Sequence, residues 1–170
     1  FYSLPIENMV MTIIMNLYLE AKKIKHCAIK LAITSACLAG YFLHIGFYVG
    51  SPWWNHLAYS FCHANLWHLA INMMVLWSIR NRISVFESLA VAVAASFLPM
   101  YVDGSTMGLS GFLFSAFGIM WGKTGRLKDA FVKAMPFIVC TMIMPNVNGL
   151  LHLWCFWLGY SVGFLHKMFS

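Results

Sequence analysis

Apolar residues in this chain form long blocks, and charged residues fall between the blocks. An apolar block of about 20 residues is the length that crosses a bilayer as a helix. Six blocks predict membrane spans, at residues 29–49, 57–79, 83–100, 109–122, 134–144 and 149–165. The pattern therefore predicts an all-α membrane protein. Residues 1–28 are interpreted as an N-terminal cytoplasmic or interfacial segment, and residues 29–167 as a six-helix membrane domain.

The charges between the blocks predict an orientation. The chain has 170 residues, of which 61% are hydrophobic and 9% charged, whereas about 25% are charged in an average soluble domain. All 11 Lys and Arg residues lie on one side of the predicted spans. The positive-inside rule makes that side cytoplasmic, with both termini. A nucleic-acid binder would gather its basic residues on a soluble face, so nucleic acid is not a predicted partner.

The five cysteines do not indicate a disulfide framework or a metal site. Their number is odd, they lie in or near apolar blocks, and the chain has no Cys-x-x-Cys pair. The sequence predicts neither a metal nor a cofactor.

One serine stands between two glycines at the start of the fourth block. Ser110 lies between Gly108 and Gly111, and Gly111 begins a face of small residues spaced by four, three and four: Gly111, Ser115, Gly118 and Gly122. Such a face allows another helix to approach closely. Taken alone, Ser110 is interpreted as the N-cap of a helix.

A histidine begins the sixth block on a similar face. His152, Cys155, Gly159 and Gly163 are spaced by three, four and four. If this face meets that of the fourth block, His152 lies close to Ser110, and an imidazole is the usual base for a serine nucleophile. Asp103 is the only acidic residue on the predicted outer side. A Ser–His dyad is therefore favoured over a triad.

Polar residues at the start of the second block predict a supporting role. His68 and Asn72 are four residues apart and share a helix face, so they could donate to a developing oxyanion together with the N–H of Ser110. His63 is expected to cap or cross the top of that helix. Phe114, one turn below Ser110, is a candidate aromatic floor under the imidazole. The alternatives are hydrogen-bonded contacts between helices, a lipid-facing or core phenylalanine, and a haem or metal site.

These motifs together resemble the rhomboid family of intramembrane serine proteases. The motifs are His63-x4-His68-x3-Asn72, Gly108-Leu109-Ser110-Gly111, and His152 with Gly159. The resemblance implies a six-helix bundle with a water-filled cavity open to the outside. It implies Ser110 as nucleophile and His152 as general base. It further implies that His68 and Asn72 line the oxyanion pocket, and that the fifth span and the loop at 145–148 act as substrate gate and cap.

The chain departs from the family pattern at three positions near the site. Cys155 stands where glycine is usual, Leu151 where alanine is usual, and Phe114 where the aromatic residue is often tyrosine. None of these departures removes a predicted catalytic group.

The predicted function is an intramembrane serine endopeptidase that cleaves single-pass membrane proteins near the outer membrane face. The predicted partners are transmembrane protein substrates and the lipid bilayer. Two alternatives remain from the sequence: a catalytically inactive rhomboid-like binding protein, and a small polytopic haem or transport protein.

Overall fold

The computed structural model describes residues 6–79, 83–98 and 105–170. Seven α-helices lie in these ranges: α1 Ile6–Tyr41, α2 Trp53–Ala58, α3 Leu66–Ser78, α4 Val85–Ser96, α5 Ser110–Thr124, α6 Leu127–Ile143 and α7 Gly149–Met168. One turn of 3₁₀ helix, Tyr59–Phe61, follows α2. An isolated antiparallel bridge joins Phe47 to Thr106. The all-helical part of the prediction agrees with these elements.

The prediction of a membrane bundle is wrong. Within the described ranges, no helix combines the length and the apolar character needed to cross a membrane. The helices α3, α4, α5 and α6 have 13, 12, 15 and 17 residues, and a span needs about 20. The longer helices carry polar interruptions, such as the lysine cluster at residues 22–25 of α1 and His152 and His166 in α7. The six-transmembrane-helix rhomboid-like bundle is therefore not supported.

The predicted spans were too long because apolar blocks continue through loops. Residues 57–79 divide into the end of α2, the 3₁₀ turn, a loop and α3. In the first block, α1 ends at Tyr41, before the predicted end of the span at residue 49. At the start of that block, α1 continues without a break across the predicted boundary between residues 28 and 29. Apolar side chains do not by themselves determine where a backbone turns. The predicted orientation depends partly on Arg80 and Arg82, and the preference for a dyad depends on Asp103. These three residues lie outside the described ranges.

The faces of small residues on α5 and α7 meet, as their spacing predicts. A Cβ atom added to Gly118 would strike the carbonyl oxygen of Phe156, and one added to Gly159 would strike that of Ser115. Cys155 is fully buried, and its Sγ atom would be 3.4 Å from a Cβ at Gly111, which is ordinary contact. The departure from glycine at Cys155 is thus compatible with close helix packing.

A buried lysine anchors α3 to α1. The Nζ atom of Lys30 donates to the carbonyl oxygens of Trp77, at 3.2 Å, and Ile79, at 2.5 Å. The indole N–H of Trp77 in turn donates to the hydroxyl of Thr34 at 3.2 Å. The ammonium group therefore satisfies carbonyls at the C-terminal end of α3, where a cation is favourable.

Loops bring the starts of α5 and α7 to the same end of the molecule. The backbones of Phe47 and Thr106 exchange two hydrogen bonds, of 2.9 and 2.8 Å. Asn148 donates from Nδ2 to the hydroxyl of Thr106 at 3.0 Å, and its Oδ1 accepts from the N–H of Leu151 at 3.0 Å, which caps α7. The N-terminal turns of both helices are thus fixed beside the same loop.

Candidate active site

Ser110 and His152 lie in hydrogen-bond contact at the N-terminal ends of α5 and α7. The distance from Ser110 Oγ to His152 Nε2 is 2.8 Å. Ser110 is the first residue of α5, and the residue at the N-cap position is Leu109, with no side-chain capping bond. The interpretation of Ser110 as a helix N-cap is therefore wrong, since its hydroxyl faces the imidazole.

The imidazole of His152 is enclosed on three sides. Phe114 stacks on it with ring centroids 4.5 Å apart and an angle of 19° between the planes. The hydroxyl of Thr141, on α6, lies 3.0 Å from its other ring nitrogen, Nδ1. Burial, with a smaller contribution from His68, lowers the pKa of His152 below its ordinary value. The imidazole is therefore neutral at pH 7 and has a nitrogen available to accept a proton.

The side chain of Asn72, on α3, is hydrogen-bonded to His63, which lies before that helix. Nδ2 of Asn72 donates to Nε2 of His63 at 3.1 Å, and the N–H of Leu109 approaches the same nitrogen at 3.4 Å. His63 precedes α3, which is capped by Asn65. Burial, with the proximity of His68, lowers the pKa of His63 to about 4. A neutral His63 thus fixes the side-chain amide of Asn72 next to the start of α5.

The backbone of Gly108 lies against the ring of His68. Gly108 has φ +130°, and a Cβ atom there would stand 2.5 Å from Cε1 and 2.7 Å from Nε2 of His68. Its N–H donates to the carbonyl of Tyr59 at 2.9 Å. The rings of His63 and His68 meet edge to face, with centroids 5.2 Å apart. Glycine is required at 108 both by the backbone conformation and by the position of the imidazole.

A mainly apolar cavity of about 580 Å³ opens next to these residues, between α3, α5, α6 and α7. Its polar end is lined by His68, Asn72, Ser110, Thr141 and His152. From there it reaches Trp121 and Lys133. Ser110 and Trp121 are 11 residues apart on α5, which corresponds to about 16 Å along a helix. The cavity can therefore hold an extended apolar group whose end lies at the serine.

The structure brings all seven predicted site residues to one region: His63, His68, Asn72, Gly108, Ser110, Phe114 and His152. Thr141, which contacts His152 from a different helix, was not predicted from the sequence. No spacing in the sequence indicates that contact, because it depends on how α6 packs against α7. Within the described ranges, no group of three His, Cys, Asp or Glu side chains is arranged to hold a metal ion.

The fold and the site define a helical protein with a Ser–His pair at one end of an apolar cavity. No protein-family model matches the chain, and no curated protein matches it.

Proposed function

We propose that this protein is a serine endopeptidase in which Ser110 is the nucleophile and His152 the general base. The observation that carries the proposal is the 2.8 Å hydrogen bond between Ser110 Oγ and His152 Nε2. It joins a half-buried serine to a buried imidazole at the polar end of the cavity. A serine hydroxyl is a weak nucleophile until a base at this distance takes its proton.

The reaction proceeds in two halves. Ser110 Oγ attacks the peptide carbonyl carbon while His152 Nε2 takes the hydroxyl proton. The tetrahedral intermediate collapses, the C–N bond breaks, and the imidazolium gives its proton to the leaving amine. Water then attacks the acyl-enzyme ester with His152 again as base, which releases the carboxylate product and restores the serine.

Three groups are suited to stabilise the negative oxygen of the intermediate. The amide of Asn72 and the ring of His68 line the cavity beside Ser110. The N–H of Ser110 lies in the first turn of α5, where helix N–H groups lack partners within the helix. Donors fixed before the reaction stabilise the charge without reorganisation.

The cavity favours an apolar peptide segment as substrate. Leu113, Phe117 and Phe137 line it beyond the polar end, and a charged segment would lose its hydration there. Large apolar side chains also cover outer surfaces: Phe42, Trp67 and Phe86 are 80, 80 and 90% exposed. Single exposed apolar side chains are common on protein surfaces, so the lining of the cavity carries the inference about the substrate. Segments of membrane proteins as substrates, the bilayer as partner and cleavage near the outer face stay predictions from the sequence.

Covalent labelling by a fluorophosphonate probe tests the proposal. The wild-type protein is compared with Ser110→Ala, His152→Ala and Ser161→Ala, in parallel with cleavage of a fluorogenic apolar peptide. Ser161 is an exposed serine on α7 whose hydroxyl donates to the carbonyl of Trp157, so Ser161→Ala is the matched control. We expect labelling and cleavage in the wild type and the control, and neither in Ser110→Ala.

Loss of cleavage in His152→Ala would support the role of the base, provided that circular dichroism shows a folded helical protein. Normal turnover by a folded Ser110→Ala or His152→Ala variant would exclude the dyad.

A further inference from the structure

Thr141 closes a chain of three hydrogen bonds that begins at the serine. Ser110 Oγ lies 2.8 Å from His152 Nε2, and His152 Nδ1 lies 3.0 Å from Thr141 Oγ1. Thr141 Oγ1 in turn donates to the carbonyl oxygen of Ile138 at 2.7 Å. The chain therefore runs from α5 through α7 to the backbone of α6.

The hydrogen bond from Thr141 to Ile138 determines which ring nitrogen of His152 carries the proton. A threonine hydroxyl has one proton and two acceptor lone pairs. Because that proton is directed to the carbonyl of Ile138, Thr141 can only accept from His152. Nδ1 must then carry the proton of the neutral imidazole, which leaves Nε2 with a free lone pair directed at Ser110.

We infer that Thr141 is a positioning residue that holds His152 in the tautomer required of a base for Ser110. This inference rests on the proposed function. The opposite tautomer would need Thr141 to rotate its proton away from Ile138 and donate to Nδ1. That rotation would give up a 2.7 Å bond to the carbonyl oxygen. The geometry of α6 thus favours the basic form of Nε2.

The same contact makes the base dependent on the position of α6. Thr141, Phe137 and Ala134 all line the cavity from this helix. A group that fills the cavity therefore touches the helix that orients His152. Displacement of α6 away from α7 would lengthen the Thr141–His152 bond and release the ring. The position of α6 is accordingly expected to affect the rate of catalysis.

The test removes the hydroxyl of Thr141 and keeps the shape of its side chain. Thr141→Val replaces the hydroxyl by a methyl group, Thr141→Ser restores a hydroxyl, and Thr124→Val makes the same change at the exposed end of α5. We expect Thr141→Val to lower kcat on a fluorogenic apolar peptide by about tenfold, the effect of one lost hydrogen bond, with KM unchanged. Thr141→Ser should recover most of kcat, and Thr124→Val should match the wild type.

The second measurement does not depend on activity. Nitrogen-15 NMR of the His152 ring reports which nitrogen is protonated. We expect a protonated Nδ1 in the wild type and Thr141→Ser, and a mixture of tautomers in Thr141→Val. A protonated Nε2 in the wild type would overturn the inference, even if Thr141→Val failed to fold. So would a folded Thr141→Val variant with both kcat and tautomer unchanged.

Failure of the proposed function would be distinguishable. In that case the fluorophosphonate would not label the wild type, or its labelling would survive in Ser110→Ala, whatever the tautomer of His152.

Discussion

At the scale of single residues, the site depends on close approach between backbone and imidazole rings. Gly108 has no side chain where the ring of His68 lies, and His63 accepts from Asn72 because it is buried and neutral. Each of these contacts fixes a group that would face the substrate oxygen. Small changes at these positions are therefore expected to lower the rate.

Gly108→Ala is expected to displace His68. The new Cβ would stand 2.5 Å from His68 Cε1, which is closer than any real carbon contact, so the ring must move. We expect kcat to fall by about 10², the size of effect seen when one oxyanion donor is lost. Gly50→Ala is the matched control, because Gly50 also has a positive φ, +86°, but an added Cβ would have no atoms within 4 Å. Equal loss of kcat in both variants would show that backbone strain, and not the ring, causes the effect.

Asn72→Ala is expected to slow the reaction without preventing acylation. The substitution removes a donor next to Ser110 and also releases His63 Nε2. We expect kcat to fall by about 10²–10³, while fluorophosphonate labelling of Ser110 continues at a reduced rate. Steady-state kinetics and labelling time courses measure the two effects. An unchanged kcat would give Asn72 a purely structural role.

At the scale of elements, the α5–α7 pair determines whether the dyad exists. Glycines on each helix lie against carbonyl oxygens of the other, so the two backbones are in direct contact. Ser110 and His152 stand at the N-terminal ends of these two helices. The distance between Ser110 and His152 therefore follows from the distance between the helix axes.

Gly118→Ala is expected to separate the two helices. The added methyl group would collide with the carbonyl oxygen of Phe156, which cannot move without its helix. Overpacking of this kind costs about 1–3 kcal/mol in the free energy of unfolding, and we expect loss of fluorophosphonate labelling as well. Denaturant unfolding measures the first effect, with Ser161→Ala on the exposed face of α7 as control. Unchanged stability and labelling would contradict the close packing of this pair.

At the scale of the whole molecule, imidazoles buried in the neutral form make stability depend on pH. Burial is the main cause that lowers the pKa of four histidines: His56, His63, His68 and His152. The unfolded chain binds these protons near pH 6.5, whereas the folded protein does not. The stability that they contribute is therefore complete above pH 6.5 and is lost as the pH falls below it.

We expect the free energy of unfolding to decrease between pH 7.5 and pH 5. His152 alone contributes at most about 2 kcal/mol to this decrease. An imidazole whose pKa is lowered in the folded protein reduces the free energy of unfolding by about 1.4 kcal/mol for each pH unit below 6.5. Denaturant unfolding at several pH values measures the slope, and His152→Asn should make it shallower. A wild-type stability that is constant over this range would mean that these imidazoles bind protons as readily in the folded protein as in the unfolded chain.

The helical class could be predicted from the amino-acid sequence, and the candidate site residues that the sequence singles out lie together in the structure. The spacing of small residues placed one face on α5 and another on α7, and these faces meet. Each face follows from local periodicity, because residues three and four apart share a helix face wherever the helix packs. The same reasoning brought Ser110 near His152.

The lengths of the helices and the outer contacts of the site depend instead on tertiary packing. The apolar block at 57–79 contains a turn and a loop, so α3 has only 13 residues. Asn72 is hydrogen-bonded to His63, which lies outside the helix of Asn72, and Thr141 on α6 contacts His152 on α7. The residues in each of these contacts do not share a helix, so no helical repeat relates them and their spacing in the sequence does not indicate that they meet. They depend on where the backbone turns and how the helices pack, which a pattern of apolar residues does not specify.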